Sequence, residues 1–156
     1  QAAIDDWKGA YETVQRWLDT ETLIAVAYGF LHGIALEAAH KIQEGARMFA
    51  HGFSASDLRH GPIALAQRDT PVLAFNAPGN SYASMSELIR DLRARGASVA
   101  CVSSERTAEL SILNSPEALA IFPATIRAQQ MMYELALARG LDPDAPEGLP
   151  KVTRAL

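Results

Sequence analysis

The chain has 156 residues, 49% of them apolar and 21% charged, the make-up of one soluble globular domain long enough for a well-buried core. Its formal net charge of -4, with the basic residues scattered rather than run together, gives no general attraction for phosphate polymers and argues against a nucleic-acid partner. No apolar run approaches the roughly 20 residues that span a bilayer, and residues 1–8 lack the basic-then-apolar order of a secretion signal, so no membrane association is expected.

Along the chain, Ile4, Trp7, Tyr11, Val14 and Leu18 recur at helical spacing. A compact apolar run, Leu23-Ile-Ala-Val-Ala-Tyr28, then reads as a buried strand closed by Gly29. The same alternation predicts a helix over 31–47, a strand over 48–53, a strand over 72–76 and a helix over 84–95. After these come a strand over 98–103, a strand over 118–122 and a long helix over 125–139. Apolar strands separated by helices imply an α/β fold, a parallel sheet covered on both faces. In such sheets ligands gather beyond the carboxyl ends of the strands, here the turns after Tyr28, Phe53, Asn76, Ser103 and Phe122. Residues 141–150 hold three prolines and a glycine, which ends the helix in an extended tail leading to Lys151. The single cysteine, Cys101, can form no internal disulfide; it is expected to pack in the core, and a reducing, cytoplasmic setting fits it best. The chain also opens at Gln1 and enters a helical pattern at once, as a piece of a longer protein would.

Three groups could carry chemistry. Glu37, Lys41 and Glu44, spaced by four and three, share one helical stripe. A carboxylate there could move a proton between adjacent carbons of a sugar through an enediol, provided burial or a neighbour raises its pKa. The same stripe is also what a solvated face of ion pairs looks like. In Ser56-Asp-Leu-Arg-His-Gly-Pro62, Gly61 and Pro62 stop a short helix so that His60 sits at a turn. It could open a sugar ring by shuttling a proton, or simply cap the helix. Lys151 is a tail amine that could meet an open-chain carbonyl if partly buried, or stay solvated. The remaining histidines, His32, His40 and His51, have no metal-ligand spacing with nearby acids, so neither a metal nor another cofactor is expected. Ser103-Ser-Glu-Arg-Thr107 offers hydroxyls that could meet a phosphate at a helix start, a pattern shared with ordinary caps.

Ala35-Leu-Glu-Ala-Ala-His-Lys-Ile-Gln-Glu44, Phe53-Ser-Ala-Ser-Asp-Leu-Arg-His-Gly-Pro-Ile63 and Gly148-Leu-Pro-Lys-Val-Thr153, in this order and spacing, resemble the isomerase half of glucosamine-6-phosphate synthase, a pair of sugar-isomerase (SIS) domains. The resemblance runs from about Leu23 to the end and points to the second domain of the pair. It implies a flavodoxin-like three-layer αβα sandwich around a five-stranded parallel sheet, with residues 21–140 as the SIS domain. Residues 1–20 would be a helix arriving from a preceding SIS domain and 141–156 the tail. It implies Glu44 as the proton-transferring glutamate, His60 as the ring-opening histidine and Lys151 as the lysine engaging the open-chain ketose, with Lys41 and Glu37 toward the substrate. It implies a sugar phosphate as ligand and a homodimer in which His60 reaches the neighbouring subunit's site. The family's phosphate-gripping serine and threonine loop belongs to the first SIS domain, and the turn after Tyr28 has no hydroxyl cluster to replace it. Two departures, Ala50-His51 and Asp57-Leu-Arg59, bear on substrate preference. Catalysis of isomerisation or amination, and sensing of a phosphosugar by a regulatory module without turnover, are the competing readings.

Overall fold

Five strands, β1 (Thr22–Ala27), β2 (Phe49–Ser54), β3 (Pro71–Phe75), β4 (Ser98–Ser103) and β5 (Leu110–Ser111), form one sheet in the order β2-β1-β3-β4-β5. Every neighbouring pair is parallel, with Thr22 aligned on Phe49, Ile24 on Val72, Pro71 on Ser98 and Val102 on Leu110. This computed structural model describes residues 2–145 and Gly148.

β1 and β3 are buried on both faces, which is why they read as unbroken apolar runs. Leu23, Ala25 and Ala27 point to one face, where α2 (Lys8–Gln15), α3 (His32–Ala46) and α6 (Glu117–Ala138) complete a core with Val14, Ile42, Ala124 and Met131. Ile24 and Val26 point to the other, against α4 (Ala55–Arg59) and α5 (Tyr82–Ala94), through Leu58, Met85, Leu88 and Leu92. The result is the α/β three-layer sandwich read from the sequence.

Two expectations are corrected. Residues 118–122 are not a strand: they lie in the first two turns of α6, and Pro123 is carried inside that helix. A short apolar run bounded by proline reads the same in either state, and here Ala120 and Ala124, four apart, supply the buried helical stripe. The fifth strand is instead the two-residue β5, too short to leave a periodic signal. The first helix is also interrupted. α1 (Ala2–Asp5) stops before α2 because Asp6 is drawn to the buried Arg127, giving its backbone carbonyl to Nη1 and its carboxylate to Nη2 at 2.8 Å. The same guanidinium donates to the Ser111 carbonyl through Nε at 2.9 Å, so one side chain ties the first turn, β5 and α6 together.

Gly52 lets β2 and α3 approach closely: a Cβ there would stand 2.8 Å from both the Ala35 carbonyl oxygen and the Leu36 Cα. Both obstacles are backbone, so Gly52→Ala is expected to destabilise the fold by about 1–3 kcal/mol, measured by urea denaturation.

Candidate functional site

Glu44 stands in the last turn of α3, which ends as Arg47 turns left-handed at φ 49°. Both of its carboxylate oxygens are held from the same helix. Lys41 Nζ donates to Oε2 at 2.8 Å and His40 Nε2 to Oε1 at 2.9 Å. The hydrogen bond from Lys41 holds the Glu44 carboxyl below its usual range, outweighing partial burial, and in turn holds the Lys41 ammonium above its own. The charge of the exposed Glu37 adds to the rise at Lys41. The condition set for a general base, a raised pKa, is therefore not met by these neighbours. The depressed carboxyl contributes stability that is present above its unfolded pKa of 4.5 and lost as pH falls through the lower folded value. Lys41 contributes below 10.5, and that is lost as pH rises through its higher folded value.

A cleft of about 260 Å³ opens beside Glu44, with Gly45 and Arg47 on its wall and Gly140, Leu141, Asp142 and Ala145 across it. It lies at the amino-terminal edge of the sheet, because α3 and α6 both run back against the strand direction; Arg139, just past α6, donates to the Thr20 carbonyl before β1 at 3.2 Å. The carboxyl-edge turns favoured from the sequence are not where Glu44 sits. Residues 140–145 are the start of the chain's run toward Lys151, which lies outside the described residues.

His60 follows α4, a five-residue helix whose start is written in Ser54-Ala-Ser-Asp57. The Ser54 Oγ accepts from the Asp57 N–H at 3.1 Å and donates to the Asp57 carboxylate at 2.6 Å. Arg59 leans on Asp91 at 3.4 Å and Glu87 at 3.8 Å of α5. His60 is exposed, and Gly61 behind it takes φ 148°, ψ -51°, a conformation that L side chains rarely adopt. Gly61→Ala is expected to cost more than about 1 kcal/mol in thermal or urea unfolding and to turn His60 away, although no neighbour blocks a Cβ.

The decisive geometry is that α3 and α4 cover opposite faces of the sheet. Glu44 and His60 are separated by the sheet itself and cannot meet one ligand within a single chain. Sequence order carries no sign of this.

At the carboxyl edge, the crevice between β1 and β3, where the strand order reverses, is closed by Glu117 at the start of α6. Its Oε1 accepts from the Phe30 N–H at 2.9 Å, its Oε2 from Ser81 Oγ at 3.4 Å, and its own N–H donates to the Pro78 carbonyl at 3.0 Å. Gly29, at φ 55°, leaves room for this carboxylate, since a Cβ there would stand 2.1 Å from Oε1. The segment 103–107 starts no helix: Ser103 Oγ accepts from the Glu105 N–H at 3.2 Å and the chain turns on into β5. Cys101 is a buried core residue, as expected, its thiol pushed up to about 12 by burial and then by the charge of Glu109. Among the described residues no group of three or more His, Cys, Asp or Glu could hold a metal ion, and no helix is long and apolar enough to cross a membrane. Two residues were missed from the sequence. His40 carries a signal in its i,i+4 spacing to Glu44, whereas Glu117 has no local signal because its partners lie 36 and 87 residues away.

Residues 18–139 match the family model of the SIS domain. The chain belongs to the SIS domain family. Its relatives include the isomerising glutamine–fructose-6-phosphate aminotransferases of Methanothermobacter thermautotrophicus, 31% identical over 97% of this chain, and of Methanosarcina acetivorans, 36% identical over 76%. The chain spans 27% and 20% of those relatives' lengths, so it corresponds to a single SIS domain of them. The fold is shared with the C-terminal domain of glucosamine-fructose-6-phosphate aminotransferase from Francisella tularensis (TM-score 0.77, 23% identity, 90% of this chain and 42% of that one). It is shared also with glucosamine-6-phosphate deaminase from Thermotoga maritima (0.76, 23%, 93% and 44%).

Proposed function

We propose that this SIS domain supplies one part of a composite phosphosugar site, in a protein that interconverts, aminates or deaminates a ketose or aldose phosphate. The observation that carries the reading is Glu44, clasped by Lys41 and His40 at the mouth of a cleft walled on its far side by Gly140, Leu141, Asp142 and Ala145. The kinship with aminotransferases that act on fructose 6-phosphate supports the substrate class.

In this reading His60 of one subunit opens the sugar ring in the site of its neighbour, passing a proton between the ring oxygen and the anomeric hydroxyl. Glu44 then takes a proton from one carbon next to the carbonyl and returns it to the adjacent carbon, through an enediol, while Lys151 engages the carbonyl oxygen or carbon. Lys41 has a second role here. If it turns from Glu44 to a substrate oxygen, the interaction that lowers the carboxyl is lost, and a cleft emptied of water raises the pKa further toward the value proton transfer needs. Residues 1–20 would then lead in from a preceding SIS domain while packing Ala10, Val14 and Trp17 into this domain's core, with 21–140 the rest of the domain, 141–156 the tail and the phosphate grip supplied from outside this chain.

The second reading is a regulatory module that binds a phosphosugar without turnover. The lowered carboxyl of Glu44 favours it, since a fixed anion beside a lysine serves recognition as well as catalysis. The experiment that separates the two is to incubate the full-length protein with fructose 6-phosphate and with glucosamine 6-phosphate and follow both by NMR over hours. New sugar-phosphate signals support the enzyme; saturable binding without conversion supports the sensor.

A further inference from the structure

A cavity of about 220 Å³ lies between α5 and the turn joining β4 to β5, on the sheet face opposite Glu44. It opens near the carboxyl ends of β3 and β4, the edge where α/β sheets hold ligands. Asn76, Ser86, Arg90, Arg93, Glu105 and Thr107 contribute its polar lining.

The distribution of charge around it is uneven. Arg93 is neutralised by Glu109, which accepts from it at 2.8 and 3.1 Å and also receives the Cys101 N–H at 2.8 Å. Glu87 and Asp91, the acids beside Arg90 on α5, face Arg59 at 3.8 and 3.4 Å. Arg90 is left at the cavity as a guanidinium with no ion-pair partner among the described residues. Deeper in, the buried Asn76 amide donates to Ser86 Oγ at 2.9 Å, while at the exposed rim the Tyr82 hydroxyl donates to the Glu105 carboxylate. The cavity thus combines one guanidinium without an ion-pair partner, Arg90, with hydroxyl groups and the Glu105 carboxylate, whose charge offsets that of Arg90 and which can accept from hydroxyls.

We propose that this cavity is a second ligand site, taking a small anion that also carries hydroxyl groups, with Arg90 as its counter-charge. Arg90 grips the phosphate or carboxylate through its planar fork, and Ser86, Thr107 and Glu105 meet the hydroxyls. The proposal is independent of any turnover at Glu44, since the two places lie on opposite faces of the sheet.

The test is equilibrium dialysis of the full chain against radiolabelled glycerol 3-phosphate, with glycerate and inorganic phosphate as competing probes. Wild type is expected to bind, with the two hydroxylated anions ahead of inorganic phosphate. Arg90→Gln is expected to weaken that binding roughly ten- to a hundredfold, the range for a charged hydrogen bond. Arg90→Lys should fall between them. Absence of binding by wild type, or equal binding by Arg90→Gln, would overturn the proposal. Arg90 is an exposed helix residue, and circular dichroism of each variant confirms that the fold is kept.

Discussion

Glu44→Gln in the full-length protein is expected to lower turnover of a sugar phosphate by about a hundred- to ten-thousandfold, the usual contribution of a positioned general base. Binding of the same sugar phosphate should change little. The substitution keeps the side-chain volume, and the amide oxygen can still accept a hydrogen bond from Lys41 in place of the present 2.8 Å contact. It removes the one property the mechanism uses, the capacity to take up a proton at carbon-abstraction distance. The measurement is a comparison of kcat with the dissociation constant for fructose 6-phosphate. Loss of kcat with binding retained fits the assignment; unchanged kcat removes Glu44 from the chemistry, and loss of binding alone makes it a recognition residue.

The second large effect concerns the fold. Trp17 lies in the turn between α2 and β1, is fully buried, and its indole N–H donates to Ser98 Oγ at 2.8 Å, 81 residues away. Trp17→Ala is expected to destabilise by about 3–5 kcal/mol, the range for emptying a large aromatic site in a core. That is a large share of the roughly 5–15 kcal/mol that holds an ordinary domain folded. Trp17→Phe, which keeps most of the ring but loses the donor, should cost nearer 1 kcal/mol. Urea denaturation of both variants checks this, and a loss below 1 kcal/mol for Trp17→Ala would show that residues 16–21 are not part of the cooperative core.

The layered α/β architecture was legible because β1, β3 and β4 are covered on both faces and therefore spell unbroken apolar runs, while α3 and α5 carry one apolar stripe each. β5 was not legible, since two residues make no pattern, and the apolar stretch before Pro123 drew the strand assignment that α6 overturned. At the candidate site, Glu44, His60 and Lys151 stood out only as an ordered set resembling a family, each being unremarkable by itself. The i,i+3 pair of Lys41 and Glu44 is readable from helical spacing, and so is the i,i+4 pair of His40 and Glu44. What spacing cannot express is the face of the sheet a helix covers. That is decided by which way each crossover turns, and it puts Glu44 and His60 on opposite sides.

This separation makes the account testable by complementation. If each site takes Glu44 from one subunit and His60 from its neighbour, the full-length Glu44→Gln and His60→Ala proteins should each be inactive alone. Mixed and allowed to exchange subunits, they should regain activity, because every mixed dimer then holds one site with both residues intact. A one-to-one mixture should recover about a quarter of the wild-type rate on fructose 6-phosphate, from half the dimers each with one of two sites restored. Recovery near that level is the predicted result. Two inactive variants that stay inactive after verified exchange would contradict a site shared between subunits.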